Sequence, residues 1–493
     1  MAPLVPSTAL KLTQIVFAVI FCLTCAGVIF GFAVLKPVLV AEGVYSDYCE
    51  PGERRRDSDT GAWRVCEGQD TRLNLAFTIA AGVTNIACLP IGFTLDTLGP
   101  KKTSILGAVL FAIGNFLFGL GYRSRWMDTY VLGFVFLALG GPLIFLPSFH
   151  LSNAFPAYSG LILSAVTGAF DASSLPYVFY RAAYDATDGR LTLRIFFFGY
   201  MILPVIVILE QLFIAPSTIY SRLAATADEE TPATRPELTP NPSSFNPESS
   251  QFAMTASAFS RIHYGDDHDD EEGMVKTHSD KDPIVGTMYG QTAWEQITSS
   301  WYFVLAAFVC IHMLRINYYI LSCFSQLEHY TGDTISAESL TKIFTLLLPL
   351  GGFVGIPLVG FLLDYRPWLD VGAVLAAMGL LFGILGMMPS FGAQVAGIVF
   401  FCLFRPLMYT SVSDAFAKIF GFQTFGTVYG SAMTLSGLVG LANAPLDVFV
   451  KTTLQSNFLP VDIALVVLGF LSSSALIYKI WKATSGARGV QLE

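Results

Sequence analysis

The chain has 493 residues, is 53% hydrophobic and only 13% charged, with a mean hydropathy of +0.58. Soluble domains carry about 25% charged residues, so an ordinary soluble protein is excluded. The formal charge of −9 is not spread evenly: residues 221–298 hold 14 Asp and Glu against 5 Lys and Arg, leaving 23 of each sign elsewhere. No basic stripe is available to neutralise phosphates, which excludes a nucleic-acid surface. The eight cysteines are scattered, and the one CxxC, Cys22 with Cys25, lacks a second pair to complete a zinc site.

About 20 apolar residues cross a bilayer as a helix, so stretches free of Asp, Glu, Lys and Arg locate spans. In chain order, 12–35, 73–95 and 103–122 each have the length of one helix. Residues 129–170 are double length and carry the breakers Asn153, Phe155 and Pro156, which predicts a helical hairpin. A sixth span covers 195–213, interrupted by Glu210. Beyond the acidic segment come 296–314 and 343–363, then a second hairpin at 371–404, broken at Pro389 and Gly392, then 419–446 and 460–479.

The expected fold is therefore an all-α membrane protein of twelve transmembrane helices in two six-helix bundles. The expected division is an N-terminal bundle over 1–215 with a long loop at 36–72, an acidic linker at 216–298, a C-terminal bundle at 299–484 and a tail at 485–493. The first span is read as a true helix, not a signal peptide, because it is 24 residues long and lacks a clear small-residue cleavage site. The proline-rich, charged stretch 225–283 has too little apolar surface to fold and is expected to be disordered, a platform for regulatory partners. Its His263, His268 and His278 lie in a solvated acidic run, and no metal site is expected there.

With both termini cytoplasmic, Lys11, Lys101, Lys102, Arg366, Lys418, Lys479, Lys482 and Arg488 lie inside, against Arg123, Arg125, Lys451 and six basic residues of the first loop outside. That loop also holds Cys49 and Cys66, either a disulfide facing an oxidising side or two thiols.

The halves repeat. Gly92-x-x-x-Asp96 ends the second span and Gly360-x-x-x-Asp364 ends the eighth. Such a repeat is the mark of transporters whose two bundles rock around a midplane site. The first copy continues through Gly99, Pro100, Lys101 and Lys102, and the whole resembles the major facilitator loop motif GxxxD(R/K)xGRKK, with Thr97 and Pro100 departing from it. Glycine permits close helix approach, Asp96 at the membrane edge can cap a helix N-terminus, and the lysines favour anionic headgroups. The resemblance implies a conformational latch at Gly92, Asp96, Gly99 and Lys101, with Gly360 and Asp364 as its second copy.

An ionisable group inside a span is costly unless it has a partner or a task. Asp171, Glu210, Arg315, Arg405 and Asp414 form the set. Glu210 and Asp414, near helix ends, are expected in structural or interfacial roles. Asp171 is read as functional: it shares a helical face with Ser174 and Val178, beside a kink expected where Pro176 crowds the Ala172 carbonyl. Arg315 offers a fork to a carboxylate, either a substrate's or that of Asp171. Neighbouring Asn317 and Tyr318 complete the candidate substrate site with Ser174 and Arg405. His150 and His312 are expected to be hydrogen-bonded structural groups.

The segments IFLPSFHLSNAFPAYSG (144–160), TGAFDASS (167–174), IHMLRINYYI (311–320) and FRPLMYTSVSDAFAKIFGFQTFGTVYG (404–430) resemble the solute carrier family 43 branch of the major facilitator superfamily and its fungal relatives. The resemblance spans both bundles and departs at Leu175, Pro176 and Tyr177, one turn from Asp171. It implies sodium-independent, facilitated passage of neutral amino acids by alternating access, or of purine nucleobases in some relatives. Two further readings are a proton-coupled metabolite or drug exporter and a non-transporting nutrient sensor. No HExxH or GxSxG occurs, so neither catalysis nor a cofactor is expected. The partners implied are a small-molecule substrate and the lipid bilayer, at the plasma or vacuolar membrane.

Overall fold

A computed structural model describes residues 7–51, 53, 65–122, 127–216, 220, 282 and 284–490. Arg123, Arg125, His263, His268, His278, most of the linker and the last three residues lie outside the described residues. Among the described residues, eleven helices are long and apolar enough to cross a membrane, and a bent pair taken as one span makes twelve. The N-terminal bundle holds α1 (Thr8–Ala26, continued by Val28–Ala41), α2 (Gly68–Ile86 with Cys88–Leu98), α3 (Pro100–Leu120), α4 (Thr129–Ala154), α5 (Pro156–Ala186) and α6 (Leu193–Phe213). The C-terminal bundle holds α7 (Ser300–Thr331), α8 (Thr334–Tyr365), α9 (Trp368–Gly386), α10 (Phe391–Phe420), α11 (Phe425–Thr452) and α12 (Leu459–Val490). Twelve passes bring Thr8 and Val490 to one side, termed the terminal face.

Several helices outrun the charge-free stretches because their charged side chains find partners inside the fold. Helix α1 continues past Lys36, whose ammonium pairs with Asp70 at 2.5 Å and donates to Asn74 at 3.0 Å. Helices α7 and α10 continue through Arg315 and Arg405. Helix α12 carries on to Val490, so residues 485–490 extend a helix instead of beginning a tail.

The interruptions follow from prolines and glycines. In α2, Pro90 lacks an N–H and crowds the Ile86 carbonyl, and the helix bends by 44°. In α5 the helix stops at Asp171 and restarts at Leu175, with Pro176 in its first turn, at the place where a kink is expected. Helix α1 loosens into a π turn at Cys22–Ala26 and breaks at Gly27. Gly27 and Gly31 face the α5 break closely: a methyl on Gly27 would collide with Ser173 Oγ. Cys49 and Cys66 are bridged in the loop opposite the terminal face.

Residues 284–298, assigned to the linker by composition, are packed under the C-terminal bundle. Ile284 and Gln296 are buried, and 293–297 form a short helix with a Thr292–Glu295 capping box. The ordered C-terminal unit therefore includes part of the segment read as linker, because its apolar residues Ile284 and Met288 find cover that a composition average hides.

Glu42, just beyond α1, accepts from Leu193 N at 2.6 Å. Burial pushes this carboxyl up, and the N–H draws it partly back. A carboxyl raised on folding favours the folded state below its ordinary range and loses that contribution as pH rises through the folded value. Glu42→Gln keeps the acceptor without the charge. Its thermal midpoint should exceed the native chain's at about pH 8, and the difference should vanish toward about pH 4.

Candidate substrate site

The bundles meet through α2 on α11 and α5 on α8, pairs related by the internal repeat. Both crossings are carboxylates on helix N-termini. Asp96 Oδ1 accepts from Gly426 N at 2.9 Å and Oδ2 from Thr427 N at 2.6 Å. Asp364 Oδ1 accepts from Gly160 N at 2.6 Å and Oδ2 from Leu161 N at 3.0 Å. The regular α-helical turns begin at Phe425 in α11 and at Ser159 in α5, so in each case the second and third residues donate, groups with no intrahelical partner. The paired glycines make the approach possible: a methyl on Gly92 would overlap the Gly426 carbonyl oxygen, and one on Gly360 would lie 2.8 Å from Leu161 Cα.

The other two residues of this motif act within the N-terminal bundle. Gly99 ends α2 at φ +80°, a conformation suited to glycine. Lys101 donates to the Leu212 carbonyl at the end of α6, at 3.2 Å.

Toward the midplane the crossing continues. Ser164 Oγ donates to Ile356 O at 2.9 Å, and the Thr167 and Thr410 hydroxyls are 2.5 Å apart. In α2, the carbonyls of Asn85 and Ile86, beside the Pro90 bend, each accept from Thr434 of α11 at 3.2 Å. Leu89 N in turn donates to Thr434 Oγ1 at 3.0 Å. Among the described residues, the interbundle hydrogen bonds lie between the terminal face and the midplane.

At the top of this ladder Asp171 of α5 meets Arg405 of α10, Oδ1 to Nη2, at 3.2 Å. The Asp171 side chain is 2% exposed and that of Arg405 16%. Asp171 Oδ2 and Arg405 Nε are buried with no hydrogen-bond partner. Tyr409 lies one turn below, its ring centroid 5.5 Å from the guanidinium carbon. Gly352 of α8 closes the side, where an added methyl would stand 3.2 Å from Asp171 Cβ.

The remaining sequence candidates lie elsewhere. Ser174 sits in the α5 break against Gly31 of α1, and Val178 is 41% exposed, because the break ends the shared helical face. Arg315 is 4% exposed inside the C-terminal bundle: Nη2 donates to Gly379 O at 2.7 Å, and its carbon lies 3.9 Å from the Phe382 ring centre. It lines a small cavity with Tyr318, Tyr319, Gln326 and Asp462, so two of the candidates, Arg315 and Tyr318, meet there and not at Asp171. The pairing of Arg315 with Asp171 that the sequence leaves open is not formed; the arginine that meets Asp171 is Arg405. Tyr318 packs against Val450, Phe458 and Val461, while Asn317 is half-buried. Glu210 is buried and accepts from Gln211 at 2.7 Å, and Asp414 is a buried structural group paired with Lys418 at 2.8 Å. His312 bonds Ser473 at 3.0 Å, whereas neither His150 nitrogen has a partner. Thr167, Thr410, Thr434 and Tyr409 are not singled out by the sequence. Thr167 and the α10 threonine and tyrosine stand within the family-like segments, where a hydroxyl inside a span is the available signal.

No family model matches the chain. It is 36% identical to Protein FMP42 of Saccharomyces cerevisiae over 489 residues, covering 96% of this chain and 95% of that one. The chain belongs to one family with that yeast protein, and its fold is that of the major facilitator superfamily. It is 31% identical over 178 residues to the mouse large neutral amino acids transporter small subunit 3, covering 34% and 31% of the two chains. Amino acid transporter 6-1 of Toxoplasma gondii is 25% identical over 424 residues, or 84% and 67%. The solved proton:xylose symporter XylE shares the fold, with a TM-score of 0.56 at 15% identity over 96% of this chain and 95% of that one. The protein is a multi-pass membrane transporter and not an enzyme.

The slot that seats Arg315 in this transporter is narrow. A methyl on Gly383 would collide with Arg315 Nη2 and stand 2.5 Å from Val466 Cγ2. Gly383→Ala must shift the guanidinium from its carbonyl, so it should cost about 1–3 kcal/mol of stability. A lowered thermal midpoint of the solubilised protein checks this.

Proposed function

We propose that this transporter moves neutral amino acids by alternating access, with the substrate bound at the Asp171–Arg405 pair. The observation that carries the reading is the pair's incomplete bonding, one carboxylate oxygen and one guanidinium N–H buried without partners at the seam between bundles. A half-satisfied buried pair is expensive, and it persists where another molecule completes it. A zwitterion supplies what is missing: its ammonium suits Asp171 Oδ2 and its carboxylate suits Arg405 Nε. The mouse relative's name supports large neutral amino acids, and the Toxoplasma relative's name supports amino acids as a class.

The pair also explains how binding couples to motion. Asp171 belongs to one bundle and Arg405 to the other, so parting the bundles strips each charge of its partner. A bound zwitterion provides replacements and lowers the cost of rearrangement, which is the differential affinity that any ligand-driven shift requires. The Asp96 and Asp364 crossings act as the two latches of the terminal face, and the arrangement is that of a carrier closed on this side. The Cys49–Cys66 bridge favours an oxidising, extracellular or luminal side for the opposite face, with the termini in the cytoplasm.

The cargo is tested by uptake of labelled leucine, phenylalanine and adenine into cells lacking their own carriers, with sodium and pH varied. Saturable leucine and phenylalanine uptake, indifferent to sodium, is expected. Adenine uptake alone points to a nucleobase carrier, and dependence on a pH gradient to proton coupling.

The site is tested by charge removal. Asp171→Asn and Arg405→Gln should each lower kcat/KM for leucine at least tenfold, about 1.4 kcal/mol of transition-state stabilisation. Each single change also strands one buried charge, whereas the double variant strands none. The double variant should therefore regain the thermal midpoint but not the transport. Native uptake in the single variants removes the pair from the substrate site.

A further inference from the structure

The segment that joins the acidic linker to α7 makes contacts that alternating access at the two latches does not itself require. Helix α10 ends at Phe420, and its last carbonyls have no partner within the helix. Three of them are satisfied from this segment. Gly286 N donates to Lys418 O at 2.9 Å, Met288 N to Ile419 O at 2.9 Å, and Gln296 Nε2 to Phe420 O at 3.1 Å. The same Gln296 amide donates to Met288 O at 2.8 Å, and its carbonyl accepts from Thr424 Oγ1 at 2.6 Å. Gln296 is 1% exposed.

Thr424 is the residue before α11, and α11 is the helix whose N-terminus Asp96 caps. The short turn from α10 to α11 is thus held on one side by Gln296 and on the other by a carboxylate of the opposite bundle. A second contact reaches toward the other latch. Asp282 Oδ2 accepts from Trp368 N at 2.7 Å at the start of α9, while the Trp368 indole donates to Asp414, which is paired with Lys418. Asp414 and Lys418 lie within the electrostatic reach of Asp364.

We infer that Asp282 and residues 284–298 form a foot that keeps the terminal face closed, with Gln296 as a positioning residue that sets the α11 N-terminus where Asp96 can cap it. Helix α11 must leave Asp96 when the bundles part on this side. A turn pinned by Gln296 presents Gly426 N and Thr427 N to the carboxylate in register, and a released turn does not. This inference rests on the alternating-access reading but not on the identity of the cargo.

The test needs no substrate. Ser164, 2% exposed on the crossing between α5 and α8, is changed to cysteine in a chain whose six free cysteines are replaced. Its labelling by a maleimide then reports opening at the terminal face. Ser473→Cys, inside the C-terminal bundle, reports general loosening in a parallel chain. Gln296→Leu should raise labelling at position 164 about threefold or more and leave position 473 unchanged. Thr424→Val, which removes only the hydroxyl donor, should raise it in the same direction by a smaller factor.

Native-rate labelling at 164 in a monodisperse Gln296→Leu protein overturns the inference, as does a parallel rise at both positions. If Gln296→Leu fails to fold, Thr424→Val decides alone, and an unchanged rate overturns the proposal. Asp96→Ala serves as the control. If it too leaves position 164 unlabelled, the latch reading itself fails and the foot falls with it.

Discussion

A helix N-terminus exposes N–H groups that lipid cannot satisfy, and in this protein two such termini are completed by carboxylates from the opposite bundle. The rest of the architecture depends on that exchange. Because Asp96 and Asp364 must reach across, the helices carrying them need glycine at the crossing, and the receiving helices must begin at the seam. The two crossings are not equivalent in surroundings, for Asp364 is almost fully buried while Asp96 is half-buried. The α5–α8 seam is also the one that continues upward to the ion pair, so the more deeply buried latch caps the same helix that carries the proposed substrate carboxylate.

The same accounting explains the broken helices. A proline at position 90 frees carbonyls one turn back, and Thr434 of the other bundle meets them. The break in α5 occurs at Asp171, the residue that needs a partner across the seam. Both interruptions therefore lie where the bundles touch, which makes each of them sensitive to the relative position of the bundles. Helix α10 carries Pro406 without breaking, since its freed segment faces α8 at Gly351 and Gly355, where small residues let the backbones lie close.

How much of this is legible depends on which signal each feature leaves in one dimension. Span number and order follow from runs without charge, and the breaks from Pro156, Pro176 and Pro389. The two aspartate crossings are legible as a repeat, because Gly-x-x-x-Asp recurs at matching places. What cannot be read is pairing. The sequence offers Arg315 as a partner for Asp171, and only the rotation of α7 against α10 decides that Arg405 faces the seam while Arg315 turns inward to Gly379 and Phe382. The same limit holds for Asp414 and Lys418 near the inner end of α10. Helical spacing lets them pair, but Lys418 carries the sequence signature of a cytoplasmic anchor and is only 2% exposed, since the start of α9 and the foot cover that end of the helix.

Charge composition hides the foot for a related reason. Of the fourteen acidic residues between 221 and 298, Asp282 caps the start of α9 and Glu295 closes a capping box, so these two are bonded structural groups. Averaging over the segment merges them with the acidic run that precedes them. The distinction matters physically, because a bonded carboxylate transmits force to the helix it caps and a solvated one does not. Asp282 and residues 284–298 thus bond to the start of α9 and the end of α10, and through Gln296 to the turn where one bundle offers its helix N-terminus to the other.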